Sequence, residues 1–332
     1  MKKTYDVFGI GNALVDIVFD ADNSFLEKYK VEKGLMTLVD EARQHELIEA
    51  LHLDETMMQC GGSAANTIIG TSQFGGKCYY ACKVADDKFG HFYLDDLRKN
   101  GVDTNLTDAT VPEGITGKCL VMVTEDADRT MNTFLGITSN FSKSEIDQQA
   151  LKDSQYLYIE GYLVTSETGV EAMKYAKKLA EDNGVKVALT FSDPSMVKYF
   201  KSQMEEVVGA SVDLLFCNEE EAMLFTGKSN ILHAREELKK AAKKFAITQG
   251  KNGAMIYDGD TFIDIEPYKV NAVDTVGAGD MFSGAFLYGI THGHSIAEAG
   301  KMASLASSKV VSQYGPRLEW HQVKEIMNHL FE

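Results

Sequence analysis

The stretch NAVDTVGAGDMFSGAFL, residues 271–287, sets Gly277, Ala278 and Gly279 directly before Asp280 and then turns apolar. Phe282, Phe286 and Leu287 share one face at helical spacing, so Gly277–Asp280 is predicted to begin a helix. Unpaired backbone N–H groups and the positive end of the helix dipole favour an anion at such a start. Two glycines let the backbone approach that anion closely. An ionised Asp280 only accepts hydrogen bonds, so beside a bound phosphoryl group it could take the proton from an attacking hydroxyl. The same residues also suit a plain glycine turn in which Asp280 caps the helix and does no chemistry. Local physics leaves both open.

Other segments carry chemistry of a related kind. GIGNALVD, residues 9–16, supplies Asn12 and Asp16 after a short apolar run. A carboxylate accepts two hydrogen bonds from vicinal hydroxyls and an amide completes the pattern, which suits a ribose-like diol. The same string begins as GxGxxG, with Leu14 where the third glycine belongs, so a dinucleotide-binding oxidoreductase stays an alternative. CGGSAAN offers Gly61 and Gly62 for close backbone approach and Asn66 as both donor and acceptor. CNEEEA places Asn218 and Glu221 at the end of an apolar run; these are hard oxygen donors of the kind magnesium takes, or an acidic first helical turn. ITQGKNGA closes another run with Thr248, Gly250 and Gly253. Glu160 in YIEGYL ends a run where a hydroxyl could bind, and Arg129 in DADRTM could close on phosphate oxygens or stay solvated. AMLFTGKS ends like a Walker phosphate loop, but Ala222 replaces its first glycine and a helical stretch precedes it, so it is rejected.

These residues need a scaffold. YDVFGIG, GKCYYACKV, SQYLYIEG, KVALTFSD, DLLFCNE and KFAITQG are apolar runs ending in polar residues or glycine. Helical stretches such as 66–74, 168–183 and 231–244 lie between them. This alternation predicts an α/β fold of three layers, Rossmann-like, with a mostly parallel central sheet, and ligands at the carboxyl ends of its strands. Residues 12–40 and 115–135 break the alternation and read as strand pairs or hairpins without intervening helices. Together they are expected to form a small β-sheet lid inserted in one domain spanning 1–332.

With 332 residues, 44% hydrophobic and 25% charged, the chain has the make-up of a globular enzyme. A formal net charge of −16 argues against spreading over nucleic acid or an anionic membrane. No apolar run approaches the ~20 residues needed to span a bilayer. The opening segment meets Asp6, Asn12 and Asp16 before a signal-peptide core could form. Five scattered cysteines without a CxxC pair read as reduced thiols, so a cytoplasmic location is expected.

The full string DTVGAGD resembles the second signature of the ribokinase-like (PfkB) family of small-molecule kinases. The GGxxxN of residues 61–66, the NxxE of 218–221, the TxGxxG of 248–253 and the opening GxGNxLxD fit that family in order. The resemblance implies ATP as co-substrate, Asp280 as catalytic base and the amides of Gly277–Asp280 as an anion hole. It also implies a role for Asn218 and Glu221 in ordering Mg2+ and phosphate, often through water. Thr248, Gly250 and Gly253 would lie along ATP, and Asp274 with the 312–315 loop would lie near a monovalent cation such as K+. Paired subunits joined through the lid occur in the family, so monomer and lid-mediated homodimer both stand.

The predicted reaction transfers the γ-phosphoryl group to a primary alcohol, largely through positioning and electrostatics. No Lys or Arg lies in 9–16 or 61–66, which favours a neutral acceptor over a phosphorylated sugar. GxGNxLxD resembles adenosine kinases within the family. Phe134, Leu135 and Tyr162 lie on segments that could reach a purine face. The expected acceptor is a nucleoside, adenosine first, with a free sugar (ribose or fructose-like) as the alternative.

Overall fold

The computed structural model describes residues 3–34, 36–51, 58–107, 110–125 and 129–331, with the side chains of Arg129 and Phe331 outside that description. Its strands run β1 (Tyr5–Ile10), β2 (Leu14–Asp20), β3 (Met36–Leu38), β4 (Met58–Gly61), β5 (Cys78–Ala81), β6 (Val102–Thr104) and β7 (Gly117–Val123). They continue as β8 (Arg129–Phe134), β9 (Ser154–Glu160), β10 (Lys186–Thr190), β11 (Leu214–Asn218), β12 (Phe245–Thr248), β13 (Ala254–Tyr257) and β14 (Phe262–Ile265).

Nine strands form one sheet in the order β14-β13-β12-β11-β10-β9-β1-β5-β6. From β12 to β6 every pairing is parallel; β13 and β14 add an antiparallel edge. The apolar runs read as strands because both faces are covered. In β1, Val7 packs toward the helices Ser63–Gln73 and Ala278–Thr291, while Phe8 and Ile10 pack toward the side that holds the helix Glu167–Asp182. In β9, Tyr156 and Tyr158 face the first layer and Leu157 and Ile159 the second. A strand buried on both faces needs this continuous hydrophobicity rather than alternation.

Strand order reverses beside β1: the chain moves outward to β5 and β6 on one side, then returns to lay β9 on the other. At such a switch point the loops leaving neighbouring strands diverge and open a crevice at the carboxyl ends. Asn12 follows β1 and Glu160 ends β9, so both stand at that crevice.

A second sheet of five strands, β3-β8-β7-β2-β4, lies apart from the first. The 115–135 region is the antiparallel hairpin β7–β8, as its pattern suggests. The 12–40 region is not a hairpin. A helix, Asn23–Lys28, intervenes, with the Asp22 carboxylate accepting from the Phe25 amide at its start. β2 and β3 then enter the sheet separately, β2 parallel to β7 and β3 parallel to β8. The strand β4, which takes in Cys60 and Gly61 of CGG, completes it antiparallel to β2. Leu35 and residues 126–128 of this expected lid lie outside the described residues.

The helix expected over 231–244 stops at Leu238. Ala242 forms a bridge with Val212, which draws the chain toward β12. Among the described residues, no helix is long and apolar enough to cross a membrane.

Candidate active site

The helix Ala278–Thr291 starts at Gly277, whose φ of 76° puts it in the left-handed region that favours glycine. A methyl there would also run into Pro316. Gly279 differs: a methyl on it would meet nothing within 4 Å, because its α-carbon faces an open cleft. The Ala278 amide donates to the Thr275 carbonyl at 3.3 Å. The amides of Gly279 and Asp280, in the first helical turn, have no intrahelical acceptor.

Asp280 lines that cleft. Its Oδ1 accepts from the Ser63 hydroxyl at 2.6 Å and its Oδ2 from Asn66 Nδ2 at 3.3 Å. Both donors come from the helix Ser63–Gln73, which packs against the helix bearing Asp280. Burial pushes the Asp280 carboxyl up to about 6, against the two donors, which favour the charged form. A carboxylate of that pKa is ionised at neutral pH yet basic enough to hold a proton briefly.

At the switch point, Glu160 is fully buried. Its Oε1 accepts from the Asn12 amide and Nδ2, both at 3.1 Å, and its Oε2 from the Ala64 amide at 2.8 Å. Burial pushes Glu160 up to about 7 in spite of these three donors, and the Asp280 charge adds to the rise. Asn12 is further fixed by Thr138, whose hydroxyl donates to Oδ1 at 3.4 Å. Asp16, on β2, enters from the small sheet, and Gly61 on the paired β4 leaves it room, since a methyl there would overlap its carboxylate. Gly62 begins the neighbouring helix with a φ of 96°.

The two sheets enclose a cleft of about 440 Å³, within the ordinary range for small-molecule sites. Leu14, Met36, Leu38, Met131 and Leu135 give its small-sheet wall an apolar surface. Among the described residues, no Lys, Arg or His lines it.

At the far end stand Asn218 and Glu221. They form a reciprocal cap: Asn218 N and Nδ2 donate to the Glu221 carboxylate at 3.0 and 2.8 Å, and Glu221 N donates to Asn218 Oδ1 at 2.9 Å. Burial, then the nearby Asp193 and Glu220 charges, push Glu221 up to about 7. Thr190, Ser192, Asp193 and Thr248 line the same end. Ser192 is a non-glycine residue at φ 70°, held there while its hydroxyl accepts from the Gly161 amide at 2.9 Å. Strain of this kind tends to collect at functional sites.

Of the expected residues, Asn12, Asp16, Gly62, Asn66, Glu160, Asn218, Glu221, Thr248, Gly277, Gly279 and Asp280 come together on the cleft, as do Leu135 and Tyr162. Phe134 does not. Side chains alternate along β8, so Met131 and Thr133 face the cleft while the Phe134 ring lies on the opposite side, 5.8 Å from Lys118 Nζ. Gly250 and Gly253 belong to the turn between the antiparallel β12 and β13 and do not line the cleft. Asp274 is buried behind it, accepting from the Val276 and Gly315 amides at 2.9 Å each and so tying the 312–315 loop to the glycine turn.

Ser63, Ser192 and Asp193 were not anticipated. Ser63 lay within the quoted CGGSAAN, but only folding shows it facing a carboxylate 217 positions away. The dinucleotide reading of GIGNAL fails on topology. β1 leads within four residues into β2, so no helix start follows it to receive a pyrophosphate, and a methyl on Gly9 or Gly11 would strike Ile68 or Glu160. The TGKS of 226–229 lies at a helix end, with Gly227 as its left-handed cap.

The sequence pattern of the pfkB family carbohydrate kinases matches residues 35–322. A probable sugar kinase from Rhizobium etli CFN 42 superposes with a TM-score of 0.90 at 31% identity, covering 98% of each chain. Adenosine kinase from Sinorhizobium meliloti superposes with a TM-score of 0.88 at 32% identity, covering 98% of this chain and 99% of its own. Adenosine kinase of Saccharomyces cerevisiae is 26% identical over 329 residues, covering 92% of this chain and 95% of its own. The three-layer fold, the second sheet and a family match across most of the chain agree: this chain belongs to the pfkB carbohydrate kinase family and is a phosphotransferase with an alcohol group as acceptor.

Proposed function

We propose that the protein transfers the γ-phosphoryl group of ATP to the primary hydroxyl of a nucleoside, adenosine first. One observation carries the acceptor class: the cleft joins an end bearing Asn12 and Asp16, groups suited to a diol, to an apolar wall from the small sheet, with no cationic side chain lining it among the described residues. A nucleoside pairs a ribose diol with a flat, uncharged base and fits both halves. A free sugar would leave Leu14, Met131 and Leu135 facing water, at about 25 cal/mol per Å² of apolar surface not buried. A phosphorylated sugar would lack a positive partner. The similarity to adenosine kinases points the same way, while the similarity to sugar kinases keeps the free sugar as the second reading.

In this reading Asp16 and Asn12 grip the diol and Asp280 faces the primary hydroxyl. Asp280 accepts its proton as the oxygen attacks phosphorus, with Ser63 and Asn66 holding the carboxylate in place. The amides of Gly279 and Asp280 bind the transferred group's oxygens. Thr248 flanks ATP. The donor set around Asn218, Glu221 and Asp193 is all oxygen, which suits magnesium. Both Glu221 oxygens already accept from Asn218, and no group of three or more ligating side chains occurs among the described residues, so contact through water fits better than direct coordination. Magnesium, when bound, would neutralise phosphate charge there. Asp274 would act on the glycine turn from behind, and a K+ requirement would depend on that loop.

The test is initial-rate ATP-dependent phosphorylation of adenosine, inosine, cytidine, ribose, fructose and fructose phosphate, with magnesium and with or without potassium. Preference for a nucleoside supports the reading; preference for ribose or fructose transfers it to the free-sugar alternative.

A further inference from the structure

Arg317 belongs to none of the sequence motifs, yet all three of its guanidinium nitrogens hydrogen-bond within the protein. Nη1 pairs with Asp96 Oδ2 at 2.5 Å, Nη2 donates to the Cys60 carbonyl at 2.5 Å, and Nε donates to Asn66 Oδ1 at 3.4 Å. The pair with Asp96 is mostly buried, with side-chain exposures of 15% and 20%. The other end of the Asn66 amide donates to Asp280.

An arginine only donates, so the group it touches on Asn66 must be the carbonyl oxygen. The NH2 group is then obliged to point the other way, toward Asp280. We propose that Arg317 is a positioning residue for Asp280: it fixes the Asn66 amide so that its NH2 group, not its carbonyl, is presented to the carboxylate. The inference rests on the reading of Asp280 as the base, and adds a residue 37 positions beyond it that makes no contact with the cleft.

The need for such a lock follows from what surrounds Asp280. Glu160 and Tyr158 face it from β9, and Tyr162 from the segment after it. Asp16 enters the same cleft from the small sheet, with Glu221 and Asp193 at the far end. Asp274 stands on the turn before the helix and Asp96 behind Arg317. The surroundings are acidic and partly desolvated, which favours the protonated, inactive carboxyl. Ser63 and Asn66 donate against that tendency. An unpinned Asn66 could rotate and present its carbonyl, which would bond only the protonated acid.

The experiment follows the carboxyl 13C resonance of Asp280 against pH in protein labelled with [γ-13C]aspartate, the signal assigned by its loss in Asp280→Asn. Arg317→Lys keeps a cation for Asp96 but loses the planar fork that reaches Asn66. A second variant, Arg317→Gln with Asp96→Asn, removes both charges together, so that neither is stranded if the first variant folds poorly. In both, the Asp280 midpoint should rise by about one pH unit. In an Asn66→Ala background the further change Arg317→Lys should move it no more. An unmoved midpoint in these two variants overturns the proposal, as does an undiminished shift in the Asn66→Ala background. The acid limb of the transfer rate should move with the resonance. If the resonance moves and the rate profile does not, the positioning of Asp280 stands and its assignment as base is what fails.

Discussion

The Ser63 hydroxyl and the Asp280 carboxylate meet at 2.6 Å, joining the first turns of two helices that start 215 positions apart. Each helix follows a glycine turn, and their packing brings the second glycine motif onto the end of the first. CGGSAAN and DTVGAGD therefore form a single structure, with a carboxylate at the seam.

Asp280→Asn keeps the shape and both helix starts but removes the basic oxygen. It should lower kcat about 10²- to 10⁴-fold and leave ATP affinity intact, measured by steady-state rates and calorimetry. Turnover like the wild type would move the base elsewhere.

The rate should depend on pH with a defined sign. As the proposed base Asp280 would act ionised, and burial places its titration at about 6. The rate should be fully developed above that and fall tenfold per unit well below it. Glu160, near 7 and coupled to Asp280, broadens the acid limb. A rate independent of pH between 5 and 8 would contradict a carboxylate base.

Stability should carry the Glu160 signature. Its native pKa is raised from the usual 4.5 to about 7, so the native state holds a proton that the unfolded chain releases. That contribution is complete below 4.5 and lost as pH rises through 7, about 3 kcal/mol in all. Glu160→Gln has no such titration. The wild type should therefore lose stability relative to the variant between pH 5 and 8 in thermal melts; a constant difference would show that the three donors hold Glu160 ionised throughout.

Gly277 and Gly279 should respond differently. Gly277→Ala meets Pro316 from a left-handed backbone and should lower Tm. Gly279→Val projects into the cleft, where it should leave Tm nearly unchanged and cut transfer by about 10²-fold by occupying the place proposed for the anion. Equal effects on Tm would mean that the cleft-facing glycine is structural.

Asp16→Ala should raise the acceptor KM about 10- to 100-fold, the worth of hydrogen bonds to a charged group. It should change ATP affinity little. An unchanged acceptor KM would remove Asp16 from the diol end.

Much of this was legible in the sequence, and the limits have physical causes. The parallel strands announced themselves because burial on both faces demands unbroken apolar runs, as in YLYI of β9. The glycines and carboxylates stood in local motifs. What stayed hidden was long-range or depended on parity. The strand β4 is four residues long and indistinct beside its glycines. The helix Asn23–Lys28 has six residues, too few to show a hydrophobic period, so the sequence reading passed over it. Phe134 was placed on the right strand and the wrong face, since a one-residue difference in β register reverses every side chain. Ser63 and Arg317 gain their meaning from partners more than 200 positions away.

The most direct measurement is the rate of ATP-dependent phosphorylation of adenosine by the wild type and by Asp280→Asn, with the product's phosphate position read by NMR. The mechanism predicts a monophosphate on the primary hydroxyl from the wild type and almost none from the variant. Equal rates from the two, or transfer to a secondary hydroxyl, would contradict it.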